Sequence, residues 1–143
     1  MQKDDLVGAW RELGRDFVAG DGTVKPDIAR TSQIMYTPDG YMGVVNTPTG
    51  RPKVGGTANP MNLDGLSAQE RADAAVGVVA YTGRYEVDGD LVKHTIYSAL
   101  NPNLPGTTQL RRATLAGDDL TLATLPDAKG DYFRIRWRRA SKV

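Results

Sequence analysis

The sequence predicts an all-β fold, with residues 1–143 forming one antiparallel β-barrel domain of about eight strands and one short helix. Three observations support this prediction. Apolar and polar residues alternate along most segments, which is the periodicity of a half-buried strand. Turn-forming residues are frequent, since the 143 residues include 16 glycines and 8 prolines. A chain of this length forms about one domain, and an antiparallel chain of this size closes most readily into an up-and-down barrel.

The first hairpin is predicted over residues 32–37 and 41–45, around the turn Pro38-Asp39-Gly40. Proline favours the first turn position, and the glycine accommodates the left-handed conformation of a three-residue loop. If Thr37 pairs with Tyr41, the inward face is apolar, which supports this register. That face carries Ile34, Tyr36, Met42 and Val44.

The second hairpin joins residues 79–87 and 91–100 through Asp88-Gly89-Asp90. A loop of even length places Tyr85 with the apolar residues of the next strand, whereas an odd loop pairs it with Lys93 and Thr95. The hydrophobic pattern favours the even loop. The inward face then carries Tyr81, Gly83, Tyr85, Val92, His94, Ile96 and Ser98.

A third hairpin over residues 108–124 turns at Gly117-Asp118, and the last strand covers residues 132–139. Alternate residues of a strand share one face, a property called parity here. If the apolar residues of this hairpin face inward, parity also turns Gln109 and Arg111 inward. In the last strand, apolar residues that end at Trp137 alternate with arginines. An arginine face of this kind can bind nucleic acid, but we expect it to be solvated and paired with acids on a neighbouring strand.

Two segments interrupt the strand pattern. Ser67-Ala68-Gln69-Glu70 is a capping box, which predicts a helix from this point to about Ala75. Residues 47–62 are rich in proline and glycine and predict a long irregular loop, which in a compact domain is often a lid or a binding loop.

The composition excludes several classes of protein. The chain has no cysteine and one histidine, which excludes a disulfide scaffold, a cysteine nucleophile and a metal site built from several cysteines or histidines. A formal net charge of +1 argues against nucleic acid as the default partner. No apolar run approaches the ~20 residues that span a bilayer, and no signal peptide is apparent. We therefore expect a cytoplasmic protein with no membrane partner, metal or cofactor.

Several segments of the chain resemble one protein family. Gly8-Ala9-Trp10 carries the Gly-x-Trp signature of the calycin barrels, and further segments in the same order resemble the bacterial and fungal lipocalin-like domain family. Together they cover nearly the whole chain. The matching segments are Tyr36-Thr37-Pro38-Asp39-Gly40-Tyr41-Met42, Tyr81-Thr82-Gly83-Arg84-Tyr85-Glu86-Val87, His94 with Asn101-Pro102, Thr107-Thr108-Gln109-Leu110-Arg111, Gly117-Asp118-Asp119-Leu120-Thr121-Leu122 and Arg136-Trp137-Arg138-Arg139.

The resemblance implies a barrel with a cup-shaped cavity, and an eight-stranded barrel can hold one small ligand. It also implies that Trp10 packs under an arginine of the last strand, Arg136 or Arg138, in a structural cation–π contact. It does not fix an activity, because related barrels include passive carriers of hydrophobic molecules as well as cofactor-free isomerases, hydratases and cyclases.

His94 and Arg111 are the leading candidates for chemistry on the predicted inner face. The ordinary pKa of histidine is about 6.5, so His94 is a candidate general base or a donor to a ligand oxygen. An arginine is costly inside a barrel unless it is paired, so a ligand carboxylate, enolate or carbonyl would supply the partner of Arg111. The alternatives are a core histidine satisfied by a tyrosine or the backbone, and a strand bulge that turns Arg111 outward.

Other residues on the predicted inner faces complete the candidate site. Tyr85 joins His94 and Arg111 as a candidate catalytic residue, because a tyrosine hydroxyl can donate to a developing oxyanion. For each tyrosine alone, ordinary barrel packing is the alternative. An apolar, aromatic cup with a few directed polar groups is typical of small-molecule sites. The candidate ligand-binding residues are Tyr36, Met42, Tyr81, Ser98, Gln109 and Trp137.

These residues predict that the protein binds a small, largely apolar, oxygenated molecule and acts on it as a cofactor-independent isomerase, cyclase or hydratase of a biosynthetic pathway. In this hypothesis Arg111 or a tyrosine polarises a carbonyl group and His94 moves a proton. The main alternative is a carrier or sensor of a hydrophobic molecule, which uses the same cup without chemistry. A module that binds partners through the barrel exterior has the least support, and the pattern leaves a homodimer open.

Overall fold

Eight antiparallel strands close into a barrel and a ninth, short strand pairs beside them, which confirms the predicted all-β fold. The computed structural model describes residues 1–28, 30–56 and 61–143. Strands β1 and β3–β9 follow one another around the barrel, β9 pairs back with β1, and β2 pairs with the end of β1. The elements are α1 (Lys3–Leu6), β1 (Gly8–Val18), β2 (Val24–Pro26), β3 (Arg30–Tyr36), β4 (Tyr41–Pro48), α2 (Ala68–Ala75), β5 (Val79–Asp88), β6 (Leu91–Ala99), β7 (Thr108–Ala116), β8 (Asp119–Ala123) and β9 (Tyr132–Arg139).

The three predicted hairpin registers are confirmed. Tyr36 lies opposite Met42 in the first hairpin. In the second, Asp88 lies opposite Leu91, so the loop is even and Tyr85 faces the same side as His94. In the third, the pairing of Ala113 with Leu122 leaves Gly117-Asp118 as the turn. Apolar residues from these faces fill the interior, as expected when parity places one face of every strand inward.

Two β-bulges change which residues face the interior. One lies in β1 between Glu12 and Gly14 and opposes β9, so that Glu12, opposite Trp137, and Arg15, opposite Ile135, both turn inward while Leu13 is exposed. The other lies in β6, where Thr82 is opposite Ser98 and Gly83 is opposite Ile96, which leaves Tyr97 as the extra residue. A bulge of one residue moves every later side chain of its strand to the other face.

One end of the barrel is closed by α1 and the chain that follows it. Leu6 and Trp10 are fully buried there, and the indole Nε1–H of Trp10 donates to the carbonyl of Leu6 at 2.8 Å. The guanidinium of Arg139 lies 4.1 Å from the centre of the Trp10 ring and donates to the carbonyls of Asp5 and Val7. The structure thus provides the cation–π contact and backbone hydrogen bonds that hold α1 against the barrel.

The predicted cation–π partner of Trp10, Arg136 or Arg138, was wrong, because the partner is Arg139. Trp10 is directly opposite Arg139 in the ladder, and Arg139 shares the inward parity of Trp137. Arg136 and Arg138 have the opposite parity, so neither can lie over the Trp10 ring.

The predicted pairing of the arginine face with acids is confirmed. Arg134 and Arg136 both lie within 4 Å of the buried carboxylate of Asp16 on β1. Arg138 forms a two-point contact with Asp119 on β8, at 2.8 and 3.0 Å. These contacts connect β9 to both of its neighbouring strands on the outer surface.

The predicted capping box of α2 is also confirmed, because the Ser67 hydroxyl accepts from the Glu70 amide and the Glu70 carboxylate accepts from the Ser67 amide. The predicted long loop over residues 47–62 begins later than expected, since β4 continues to Pro48. Residues 49–56 are irregular, and residues 57–60 of this prediction lie outside the described part of the chain. Helix α1 and strand β2 were not predicted.

Candidate functional site

A cavity of about 220 Å³ occupies the half of the barrel opposite α1. Its wall is mostly aliphatic and aromatic, with polar side chains at a few positions, which is the composition of small-molecule sites. Strands β1 and β3–β9 each contribute at least one side chain to the wall, because one face of each strand turns inward. The lining residues are Arg15, Ile34, Val44, Asn46, Val79, Tyr81, His94, Arg111, Leu122, Thr124, Phe133, Ile135 and Trp137.

His94 lies at the inner limit of this cavity, between two tyrosines. Its side chain is 1% exposed. The Nε2 atom is 2.9 Å from the hydroxyl of Tyr36, and the Nδ1 atom is 3.0 Å from the hydroxyl of Tyr81. Both ring nitrogens therefore have a protein partner, as hydrogen bonding of buried polar groups requires. This is the arrangement that the sequence left open as the alternative to a free general base.

Tyr36, His94 and Tyr81 form a hydrogen-bonded chain, the Tyr36–His94–Tyr81 chain. Their environment keeps all three side chains uncharged near neutral pH. Burial, assisted by the positive charge of Arg111, lowers the pKa of His94 from 6.5 to about 3. Burial raises the pKa of Tyr36 well above its ordinary value and also raises the pKa of Tyr81. The Arg111 charge opposes both increases, so its guanidinium is close enough to affect every group of the chain.

Arg111 is confirmed to face inward, but no carboxylate of the described residues lies within 4 Å of it. Within the described residues, its one hydrogen bond is from Nη1 to the carbonyl of the preceding residue, Leu110, at 2.8 Å. The other charged side chain of the lining, Arg15, is neutralised by Glu12 through a two-point contact at 2.7 and 2.8 Å. As far as the described residues show, the cavity wall therefore carries one positive charge that no carboxylate neutralises.

Two further lining residues have polar atoms that are buried without a partner in the described structure. These are the carbonyl oxygen Oδ1 of Asn46 and the indole Nε1–H of Trp137. Leaving such an atom unpaired costs about 1–3 kcal/mol, so natural proteins have few of them. Both residues belong to the same wall as Arg111, although neither of these two atoms has accessible surface in the cavity.

The structure brings four of the nine predicted site residues onto the cavity wall: Tyr81, His94, Arg111 and Trp137. A fifth, Tyr36, lies behind the wall and contacts the site through His94. Gln109 is opposite His94 and half-buried, but it is not among the lining residues, and its amide is 3.5 Å from the Thr107 hydroxyl.

Tyr85 and Met42 lie at the closed end and do not line the cavity. The Tyr85 hydroxyl donates to the carbonyl of Thr37 at 2.8 Å, and its ring packs edge-on against Tyr36 with centroids 4.8 Å apart. Its hydroxyl is thus committed to the backbone. Parity placed Tyr85 and Met42 inside correctly, but parity does not show how far along the barrel axis a side chain lies.

The prediction that Ser98 faces the interior is wrong. The bulge at Tyr97 reverses the parity, so Ser98 is exposed opposite Thr82 on the outer surface. It lies there beside an apolar groove of about 330 Å³ that also contacts Met35, Val45 and Leu100. None of the residues that line this groove carries a charge.

Arg15 and Asn46 are cavity residues that sequence reasoning missed. Arg15 turns inward only because of the bulge near Gly14, and a glycine inside a strand is the one sequence signal of such a bulge. Asn46 continues the inward parity of Val44, and extending β4 by one residue would have found it.

Within the described residues, no cluster of three or more histidine, cysteine, aspartate or glutamate side chains is placed to hold a metal ion. None of the helices in that part of the chain is long and apolar enough to cross a membrane.

Comparison with known proteins places this barrel in a family. A family model described as a lipocalin-like domain matches residues 7–140. The chain belongs to the lipocalin-like domain family. No curated protein matches the chain. Membership of this family and the cavity are both compatible with the binding of a small molecule.

Two solved structures are similar to this lipocalin-like chain. A lipocalin-like protein from Bacteroides uniformis ATCC 8492 is 14% identical, with 95% of this chain and 99% of that chain covered and a TM-score of 0.49. An uncharacterized protein from Bacteroides eggerthii DSM 20697 is 13% identical, with 95% of this chain and 100% of that chain covered and a TM-score of 0.47.

Proposed function

We propose that this lipocalin-like protein binds one small, largely apolar molecule whose oxygenated end contacts Arg111 inside the barrel. The observation that carries the proposal is the guanidinium of Arg111, which has no carboxylate partner among the described residues and lies on a mostly apolar wall. A buried or half-buried cation is costly unless an anion or a strong acceptor satisfies it. A ligand carboxylate or carbonyl is such an acceptor, and a carboxylate fits the two-pronged geometry of the guanidinium best.

The size of the cavity limits the ligand. Sites for drug-sized molecules usually measure roughly 300–1,000 Å³, and the volume here is about 220 Å³. A single ring or a short alkyl chain with one polar end matches this volume, whereas a long-chain lipid does not. Cyclohexanecarboxylate is a suitable probe because it combines a compact apolar body with one carboxylate.

Two adjacent arginines provide the test. Arg111 faces the cavity, whereas the exposed side chain of Arg112 contacts Asp90 on the outside. We expect isothermal titration calorimetry to detect cyclohexanecarboxylate binding to the wild type, and Arg111→Gln to weaken it by about 10–100-fold. Arg112→Gln removes the same charge from the same strand and should leave the affinity within about twofold. Equal losses in the two variants would contradict the proposal.

A second candidate function is cofactor-independent isomerisation, cyclisation or hydration of the bound molecule. The observation that favours it is the uncharged Tyr36–His94–Tyr81 chain beside Arg111. Arg111 would polarise a carbonyl group, and His94 would move a proton by accepting one at one ring nitrogen while it releases another from the other nitrogen. A histidine whose pKa is lowered this far is a weak base, so simple binding is the better supported function.

Native mass spectrometry of protein purified gently from its source separates the two functions. A co-purifying molecule that is released on denaturation and stays unchanged during incubation favours binding alone. Conversion of that molecule, abolished by His94→Ala but not by Arg112→Gln, favours catalysis.

A further inference from the structure

The hydrogen bonds of the Tyr36–His94–Tyr81 chain can run in two directions. A neutral imidazole has one nitrogen that donates and one that accepts. Either Tyr36 donates to Nε2 and Nδ1–H donates to Tyr81, or both bonds are reversed. The two directions differ in which tyrosine hydroxyl keeps a hydrogen atom without a partner.

Burial of Tyr36 decides between these directions. Tyr36 is 2% exposed, and within the described residues its hydroxyl has no hydrogen-bond partner other than His94. If it accepted from Nε2–H, its own O–H would be buried without an acceptor, at a cost of about 1–3 kcal/mol. Tyr36 therefore donates to Nε2, which places the ring proton of His94 on Nδ1.

The consequence appears at the cavity. With its proton on Nδ1, His94 donates to the oxygen of Tyr81, so the Tyr81 O–H is left free to donate elsewhere. Tyr81 lines the cavity, whereas Tyr36 does not. The hydrogen bonds thus leave the hydroxyl of Tyr81 as a donor for a ligand, and the lowered pKa of His94 keeps its Nε2 atom unprotonated near pH 7, so that it can accept from Tyr36.

We propose that Tyr81 and Arg111 together bind the carboxylate of a small organic acid, and that Tyr36 and His94 are positioning residues that fix the direction of the Tyr81 hydroxyl. This inference rests on the proposed function and names its ligand class. Both side chains line the same cavity, and the Tyr81 hydroxyl is held there by its hydrogen bond with Nδ1 of His94.

A wall that offers several donors discriminates by ligand chemistry. A carboxylate has two acceptor oxygens and a negative charge, so it matches Arg111 and the Tyr81 hydroxyl together. A carboxamide of the same shape keeps one acceptor oxygen and has no charge, and the corresponding alcohol brings a further donor. We therefore expect the cavity to prefer cyclohexanecarboxylate over cyclohexanecarboxamide, and both over cyclohexylmethanol.

The direction of the chain can be measured without any ligand. The protein has one histidine, so the two imidazole nitrogens give nitrogen-15 NMR signals that need no assignment among several rings. We expect the spectrum at pH 7 to show a neutral ring with the proton on Nδ1. In Tyr36→Phe the constraint is removed, and the signals should move toward an average of the two tautomers. A proton on Nε2 in the wild type would overturn the inference.

Binding of the acid tests the role of Tyr81. Tyr81→Phe removes only the hydroxyl, and we expect it to weaken cyclohexanecarboxylate binding by roughly 10–100-fold and to narrow the preference over the carboxamide. Tyr97→Phe is the matched control, since Tyr97 is 83% exposed at the outer bulge. An unchanged affinity in Tyr81→Phe would contradict the inference.

The outcomes separate the two proposals. If the wild type binds none of the probes, the carboxylate site of the proposed function fails, whatever the tautomer of His94. If Arg111→Gln abolishes binding while Tyr81→Phe binds normally, the proposed function stands and the assignment of Tyr81 as a carboxylate donor is wrong.

Discussion

The two tryptophans of this barrel have similar burial but opposite hydrogen bonding. Trp10, at the end closed by α1, is fully buried and donates its indole N–H to the Leu6 carbonyl at 2.8 Å. Trp137, in the open half, is 2% exposed, and its indole N–H has no partner in the described structure. Two arginines show the same contrast. Arg139 donates to two backbone carbonyls and contacts the Asp118 carboxylate. Within the described residues, Arg111 donates only to the carbonyl of Leu110, its neighbour on the same strand.

This difference distinguishes polar groups that stabilise the fold from polar groups that are available to a ligand, although both lie inside the same barrel. At the closed end the polar groups that are inside the barrel are matched by the protein itself, so they stabilise the fold. In the open half, acceptors and donors remain unmatched around a cavity, at a cost to stability. Proteins keep such costs mainly where a ligand compensates for them, which is why the site is assigned to the open half.

Substitution of the two tryptophans should show the contrast most strongly. We expect Trp10→Phe to reduce the free energy of unfolding by about 3 kcal/mol, because it removes a buried hydrogen bond, packing volume and the contact with Arg139. Trp137→Phe loses similar volume but also removes an unpaired donor, so its loss should be about 1 kcal/mol. Urea denaturation followed by circular dichroism measures both. Equal losses would remove the distinction between the two ends.

The pH dependence of stability should come next in size. His94 has a pKa of about 3 in the folded protein, whereas an unfolded histidine has a pKa of about 6.5. Between these values the unfolded chain binds more protons, so stability is fully present above about pH 6.5 and is lost as the pH falls. The expected loss from pH 7 to pH 5 is about 2 kcal/mol.

A variant without histidine provides the control for this measurement. His94→Gln removes the only histidine of the chain, so its urea midpoint should change less between pH 7 and pH 5 than that of the wild type. An identical pH dependence in both proteins would show that His94 is not buried in its neutral form.

Removal of an unmatched acceptor should have the smallest effect on stability, and in the opposite direction. Asn46 faces the cavity from β4, where its Oδ1 atom has no partner in the described structure. Asn46→Val replaces it with a residue that strands favour, so we expect stability to be unchanged or to rise by up to about 1 kcal/mol. Thermal unfolding by calorimetry measures the change. A loss above about 2 kcal/mol would mean that Asn46 has a structural role.

The sequence predicted the fold well because parity and turn residues are local signals. The turns at Gly40, Gly89 and Gly117 determine three registers, and those registers place Tyr36, His94 and Arg111 inside. Two errors in the predicted site each depend on a single inserted residue. The bulge at Tyr97 moved Ser98 outside, and the bulge near Gly14 brought Arg15 inside.

The hydrogen-bond state of the site could not be predicted from the sequence. Parity shows that Tyr36, Tyr81 and His94 share an interior, but the fact that two tyrosines occupy both ring nitrogens depends on distances across strands β3, β5 and β6. Likewise, the same sequence reasoning applies to Trp10 and Trp137, and only the three-dimensional neighbours distinguish them.

The bulge in β6 did leave one signal in the sequence, which is the glycine at position 83 on the opposite strand. An added Cβ at Gly83 would overlap the Thr95 carbonyl, so a larger residue does not fit there.

A crystal structure of the protein soaked with cyclohexanecarboxylate would show directly whether the barrel holds a carboxylate site. We expect one ordered acid in the cavity, with its carboxylate contacting the Arg111 guanidinium and the Tyr81 hydroxyl. The carboxylate site would be wrong if, at a concentration that saturates binding in solution, the acid occupied the outer groove beside Ser98 and not the inner cavity.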